Sequence, residues 1–176
     1  MKILVTGGVR SGKSRHAEGL LTDAPMVHYV APGPIPDPAS DPEWAARVAA
    51  HQAGRPESWQ THETIDIPAV LAEATGPVLV DCLGTWLTST LDQLAAWERP
   101  ESEWAPQLQA RIAELAAAWT ATEASVVAVT NEVGWGLVSE HRSGRIFADW
   151  LGRTNQAVAA ASDEVRLVIA GRHLTL

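Results

Sequence analysis

The sequence has one cysteine, Cys82, in 176 residues, so neither an intramolecular disulfide framework nor a cysteine zinc cluster can hold it together. It has no apolar run near the ~20 residues that span a bilayer, and its opening residues show no signal-peptide core or cleavage site. It also lacks positive charge overall. A formal net charge of −8 excludes the broad basic face that tracks a nucleic-acid backbone, although a few local donors could still hold a small anion. Internal repeats of about 20–50 residues and coiled-coil heptads are absent as well. What remains is ordinary globular composition, 46 % apolar and 19 % charged, over a length that buries a core as one domain spanning residues 1–176. The expectation is a cytoplasmic protein with no transmembrane segment and no nucleic-acid partner.

Five short aliphatic runs read as buried strands: Lys2-Ile3-Leu4-Val5-Thr6, then 26–31, 78–82, 125–130 and 165–170. Helical patterns lie between them. Residues 14–21 follow the first run, and Leu108, Ile112, Leu115 and Trp119 share one face of a later helix. A further helix over about residues 140–161 turns Ile146, Trp150 and Val158 inward. Strands apolar on both faces and alternating with helices predict a mostly parallel sheet, with functional loops at the C-terminal strand ends. The segment 32–42 holds five prolines and reads as a surface loop beside that face, either a flap or a plain connection. Pro100 and Pro106 predict a break and a solvated connection around the acidic stretch 98–103.

Immediately after the first strand stands Gly7-Gly8-Val9-Arg10-Ser11-Gly12-Lys13-Ser14, the G-x4-G-K-S pattern of a P-loop. Gly7 and Gly12 permit backbone torsions and close approach that a Cβ would obstruct, so successive N–H groups can surround phosphate oxygens. Lys13 supplies a mobile positive charge to the β- and γ-phosphates, and Ser14 a hydroxyl for Mg2+. The strand before and the helix after are the context this motif needs. The expected fold is therefore α/β, a P-loop NTPase-like three-layer sandwich with a mostly parallel central sheet, using ATP or GTP with Mg2+.

Val78-Leu79-Val80-Asp81 is an apolar strand ending in a carboxylate, which suits either a magnesium partner or a turn cap. Cys82 beside it has no basic sequence neighbour to lower its thiol pKa and reads as packing. Arg47 to Pro56 brings His51 to the last turn of a helix that stops at Gly54. Histidine there can complement the helix dipole, or it can attack a nucleotide phosphorus with Arg47 or Arg55 neutralising charge. Asn131 and Glu132, in Asn131-Glu132-Val133-Gly134-Trp135-Gly136, emerge from another strand to order substrate or to build a turn. The eight tryptophans are core or interface candidates by size.

Taken together, G-G-V-R-S-G-K-S with Ala17-Glu18, R-V-x-x-H-x-x-x-R-P from Arg47, V-D-C-L from Val80, N-E-V-G-W-G from Asn131 and Asn155-Gln156 before A-x-x-D-E-V resemble one family over nearly the whole chain. It is the bifunctional adenosylcobinamide kinase/adenosylcobinamide-phosphate guanylyltransferase family of cobalamin biosynthesis. The resemblance implies phosphorylation of the aminopropanol hydroxyl of adenosylcobinamide by ATP or GTP. Transfer of GMP from GTP to that phosphate follows, through a histidine-GMP intermediate. It implies His51 as that histidine, Gln52, Ala53, Gly54, Arg55 and Glu63 in the guanine-nucleotide site, and a homotrimer. Some relatives have two consecutive histidines where this chain has Ala50-His51. An exposed tryptophan could cover the corrin ring. Two other readings of the P-loop are a small-molecule kinase without nucleotidyl transfer, which needs no His51, and a nucleotide-gated binding module.

Overall fold

The computed structural model describes the backbone of residues 1–34, 39–53 and 55–176, and the side chains of these residues other than 44, 47 and 50–53. Seven strands form one sheet in the order β3-β2-β4-β5-β1-β6-β7. They are β1 (Lys2–Gly7), β2 (His28–Val30), β3 (Gln60–His62), β4 (Val78–Asp81), β5 (Val126–Val129), β6 (Glu164–Ile169) and β7 (Arg172–Thr175). All neighbours pair in parallel except β6 and β7. The helices are α1 (Lys13–Gly19), α2 (Pro42–Ala53), α3 (Ile67–Glu73), α4 (Leu83–Gln93), α5 (Glu101–Ala121) and α6 (Arg142–Ala160). This is the α/β, mostly parallel architecture expected from the alternating pattern.

Alternation along each strand divides the core between the sheet's two faces. Leu4, Val30, Val78, Val80, Val126 and Ala128 point to the side where α3, α4, α5 and α6 pack. Ile3, Val5, Tyr29, Leu79, Val127 and Val129 point to the other, against Ala17 and Leu21 of the α1 segment and Trp59. The five expected strands all form. The short edge strands β3 and β7 and the seven-residue helix α3 are too short or too polar to show a clear period. Helix α4 does carry one, with Leu83, Trp86, Leu87, Thr90 and Leu91 buried on one face, and is a helix beyond those expected above. Leu108, Ile112, Leu115 and Trp119 are all buried, as their spacing predicts.

One expectation fails. Residues 101–103 are not a solvated connection, because α5 begins at Glu101 and runs straight through Pro106. Pro100 does mark the break, as the residue preceding the helix. Glu101 and Glu103 occupy the first turn, where the helix dipole favours acidic side chains. A proline inside a helix costs about 3 kcal/mol. Burial of Trp104, Leu108, Leu115 and Trp119, each worth roughly 1.5–3 kcal/mol, outweighs it. Propensity loses to packing.

The sheet order explains where a site can form. After β1 the chain builds β2, β3 and β4 on one side, inserts β5 beside β1, and then crosses to place β6 on the far side. Register sets Asp81 beside Val129 and Val129 beside Val5. The loops leaving β4, β5 and β1 therefore emerge abreast at the topological switch, where open α/β sheets bind ligands.

Candidate active site

The loop between β1 and α1 is shaped by steric exclusion. A Cβ on Gly7 would come within 2.4 Å of the Val168 carbonyl oxygen and 2.7 Å of Ser11 Oγ, so only glycine fits. Gly12 adopts φ +95°, in the left-handed region that favours glycine. A support comes from the far end of the chain, which the sequence did not disclose. Ala170 and Gly171 both take positive φ to turn β6 into β7, and Gly171 N–H donates to Ser11 O at 2.8 Å. The β5 loop is tied in too: Glu132 N–H donates to Gly7 O at 3.1 Å.

Beside this loop opens a cavity of about 930 Å³, within the usual range for small-molecule sites. Val9, Arg10, Ser11, Gly12, Lys13 and Ser14 line it, together with Arg55, Glu63 and Asp81. Four cationic side chains, Arg10, Lys13, Arg15 and Arg55, meet only two carboxylates among the described lining residues. A chain of net charge −8 thus concentrates positive charge at one concavity, the local condition for binding a polyanion. Gly7 and Gly8 belong to the loop without lining the cavity, and Lys13 Nζ donates to Gly8 O at 3.2 Å.

On the opposite wall Tyr29 links two of these groups. Its hydroxyl donates to Asp81 Oδ2 at 3.3 Å, and the Arg55 guanidinium carbon stands 3.4 Å from its ring centroid. Arg55 also donates to Thr61 Oγ1 at 3.3 Å. Burial, and then the Asp81 charge, push the Tyr29 hydroxyl far above its ordinary range, so it remains a donor. The same two causes raise the Cys82 thiol, which stays protonated and packs. Tyr29 gave no signal in sequence beyond a place in a strand; its contacts arise only when β2 pairs with β4.

The polar residues after β5 divide between the two uses left open for them. Asn131 lines the cavity, and its carbonyl accepts from Asn155 Nδ2 at 3.1 Å, while Asn155 Oδ1 accepts from Thr130 at 2.6 Å. Glu132 is a turn residue: its carboxylate accepts Gly134 N–H at 2.8 Å. Of the Pro-rich segment, Gly33 lines the cavity and residues 35–38 lie outside the described residues. The side chains of His51, Gln52 and Ala53, and Gly54 altogether, also lie outside them. The backbone of α2 extends through Ala53, and its Val48 reaches the cavity.

No helix among the described residues is long and apolar enough to cross a membrane. In overall fold the chain is similar to an ATPase of a bacterial type III secretion system, with a TM-score of 0.60 at 12 % identity, covering 99 % of this chain and 56 % of that one. It is similar in the same way to the type III secretion ATPase EscN of enteropathogenic Escherichia coli, with a TM-score of 0.56 at 11 % identity, covering 96 % of this chain and 43 % of that one. Sequence relatives are far nearer. The bifunctional adenosylcobalamin biosynthesis protein CobU of Salmonella typhimurium is 47 % identical, and that of Escherichia coli K12 44 %, each over 97 % of both chains. The bifunctional adenosylcobalamin biosynthesis protein CobP of Pseudomonas aeruginosa is 34 % identical over 100 % of this chain and 97 % of its own. Residues 3–176 match the family model for cobinamide kinase / cobinamide phosphate guanyltransferase. The chain belongs to that family.

Proposed function

We propose that the family's two reactions use two sets of residues around this cavity. In the first, the aminopropanol hydroxyl of adenosylcobinamide attacks the γ-phosphorus of ATP or GTP. The bond from that phosphorus to the β–γ bridging oxygen breaks, the nucleoside diphosphate leaves, and the hydroxyl proton is lost. The P-loop N–H groups and Lys13 hold the triphosphate and stabilise the charge moving onto its oxygens. Ser14 and Asp81 are the residues that would hold Mg2+. They offer only hard oxygen donors, as that ion requires, and Asp81 is engaged by a single 3.3 Å bond from Tyr29 among the described residues. When bound, the ion would neutralise phosphate charge.

In the second reaction an imidazole nitrogen of His51 attacks the α-phosphorus of GTP and pyrophosphate leaves. The phosphate oxygen of adenosylcobinamide phosphate then attacks the same phosphorus, breaking the P–N bond and freeing the histidine. The product is adenosylcobinamide-GDP. The backbone of α2 supports this reading, because position 51 follows the cavity-lining Val48 by three residues, one turn along the same face. Arg55, four residues further on, lines the cavity and is held over Tyr29. Gln52, Ala53, Gly54 and Glu63 complete the guanine-nucleotide side. We take residues 1–176 as one domain, assembled as a homotrimer in the cytoplasm, where both triphosphates are available.

The observation that carries the proposal is the meeting of Lys13, Ser14, Asp81 and Arg55 on one cavity. Its test is incubation with α-labelled GTP and Mg2+ followed by denaturation. Acid-labile, alkali-stable label on wild type and none on His51→Ala is expected, with kinase activity retained. Label persisting on His51→Ala would remove His51 as the sole carrier.

A further inference from the structure

The loop from Asn131 to His141 holds apolar side chains out to solvent at the edge of the site. Trp135 is 70 % exposed, Leu137 100 % and Val138 81 %, and Val9 at the tip of the P-loop is 84 % exposed. Buried tryptophans elsewhere, Trp86, Trp104, Trp119 and Trp150, show what the fold does with this side chain when it is only core material. Both ends of the loop are tied down. Asn131 O accepts from Asn155, Glu132 N–H donates to Gly7 O, and Arg145 donates to the carbonyls of Ser139 and Glu140 at 2.9 and 2.8 Å. Anchored at both ends, the loop presents its apolar middle outward.

We propose that Trp135, Leu137 and Val138, with Val9, form the platform on which the corrin macrocycle of the substrate rests during phosphoryl transfer. This depends on cobinamide being the acceptor, as the family reading holds. The corrinoid is a wide, methyl-fringed macrocycle that presents its hydroxyl on a side arm. The nucleoside triphosphate and the end of that arm claim the cavity itself, where the P-loop, Lys13 and Asp81 lie. The ring therefore lies outside the mouth, within an arm's length of the phosphates. Trp135 is four residues from Asn131, which lines the cavity, and so at most about 14 Å from it along the chain. Val9 lines the cavity itself and is also exposed, carrying apolar surface from the mouth outward. A large aromatic face with aliphatic neighbours matches the ring's apolar faces, and its removal costs binding without touching phosphate chemistry.

The test is steady-state kinase kinetics with adenosylcobinamide varied at saturating ATP. Trp135→Ala should raise the corrinoid KM about tenfold or more, with the KM for ATP and the GMP label formed from GTP alone both unchanged. Trp135→Phe should recover most of the loss. Leu137→Ser, at a fully exposed position that folding does not need, should raise the same KM several-fold. A corrinoid KM within twofold of wild type in both Trp135→Ala and Leu137→Ser would overturn the platform. So would a changed assembly mass by sedimentation, which would make the patch a contact between copies of the chain. Wild type that leaves adenosylcobinamide unphosphorylated would instead defeat the family reading beneath it.

Discussion

The P-loop and the α2–β3 segment face the same cavity but are held by different means. The P-loop grows from β1, which is paired on both sides and contributes the buried Ile3, Leu4 and Val5. Its glycines meet backbone at Val168 and Gly171. The segment bearing His51 and Arg55 returns through β3, a three-residue edge strand with two exposed positions and one partner. Side chains take over there: Arg55 stacked on Tyr29, and His28 Nδ1 3.0 Å from His62 Nε2. Backbone anchorage suits a site that must surround phosphate with fixed dipoles. On the function proposed above, a nucleophile that is guanylylated and then delivers its group would be served by a segment at the edge.

That contrast is broken most severely at Lys13. Lys13→Ala should lower kinase kcat about 10²–10³-fold, measured by transfer from γ-labelled ATP, with an unchanged thermal midpoint, because the loop is held by backbone rather than by this side chain. A smaller and opposite split is expected at Arg55. Arg55→Lys keeps the charge but loses the planar stack on Tyr29 and the bond to Thr61. GMP labelling should fall about tenfold while the kinase rate changes less than twofold. Equal losses in both reactions would show that the two regions act as one.

The smallest effect concerns pH. Burial, and then His62, hold the pKa of His28 below its ordinary 6.5, and its Nε2 is buried without a partner. The native site refuses a proton that the unfolded chain accepts. Its contribution is complete above pH 6.5 and is lost as pH falls toward the lowered native value. The thermal midpoint should drop between pH 7.5 and 5.5, and His28→Leu, which keeps the position apolar on β2, should make that drop shallower.

Much of the fold is legible in the sequence. Runs such as Val78-Leu79-Val80 and Val126-Val127-Ala128-Val129 are apolar on both faces, so they predict sandwiched parallel strands whichever order they take. The spacing of Leu108 to Trp119 located α5, but its start was missed because Pro106 is a strong local signal whose cost the buried tryptophan and leucines outweigh. The strands β3 and β7 are three and four residues long, with at most partial burial, and leave no periodic trace. Lys13 and Ser14 stand out through the spacing of a phosphate-binding loop, and Asp81 through its place at the end of an apolar strand; the structure brings all three to one cavity. Tyr29 and the Gly171 support are not legible, since each acts through a partner more than fifty residues away.

The sequence by itself determined the residue types at the phosphate loop, the aliphatic strands that carry it, and, through the order of its motifs, the family. These are local matters of backbone freedom, charge and period, written within a few consecutive residues. Only the tertiary structure decided that β5 lies between β1 and β4, setting Asp81 abreast of the P-loop, and that Arg55 rests on Tyr29. It alone singled out Trp135, among the tryptophans whose side chains are described, as the one the fold leaves exposed. Strand order and exposure are sums over distant contacts, and no window of sequence contains them.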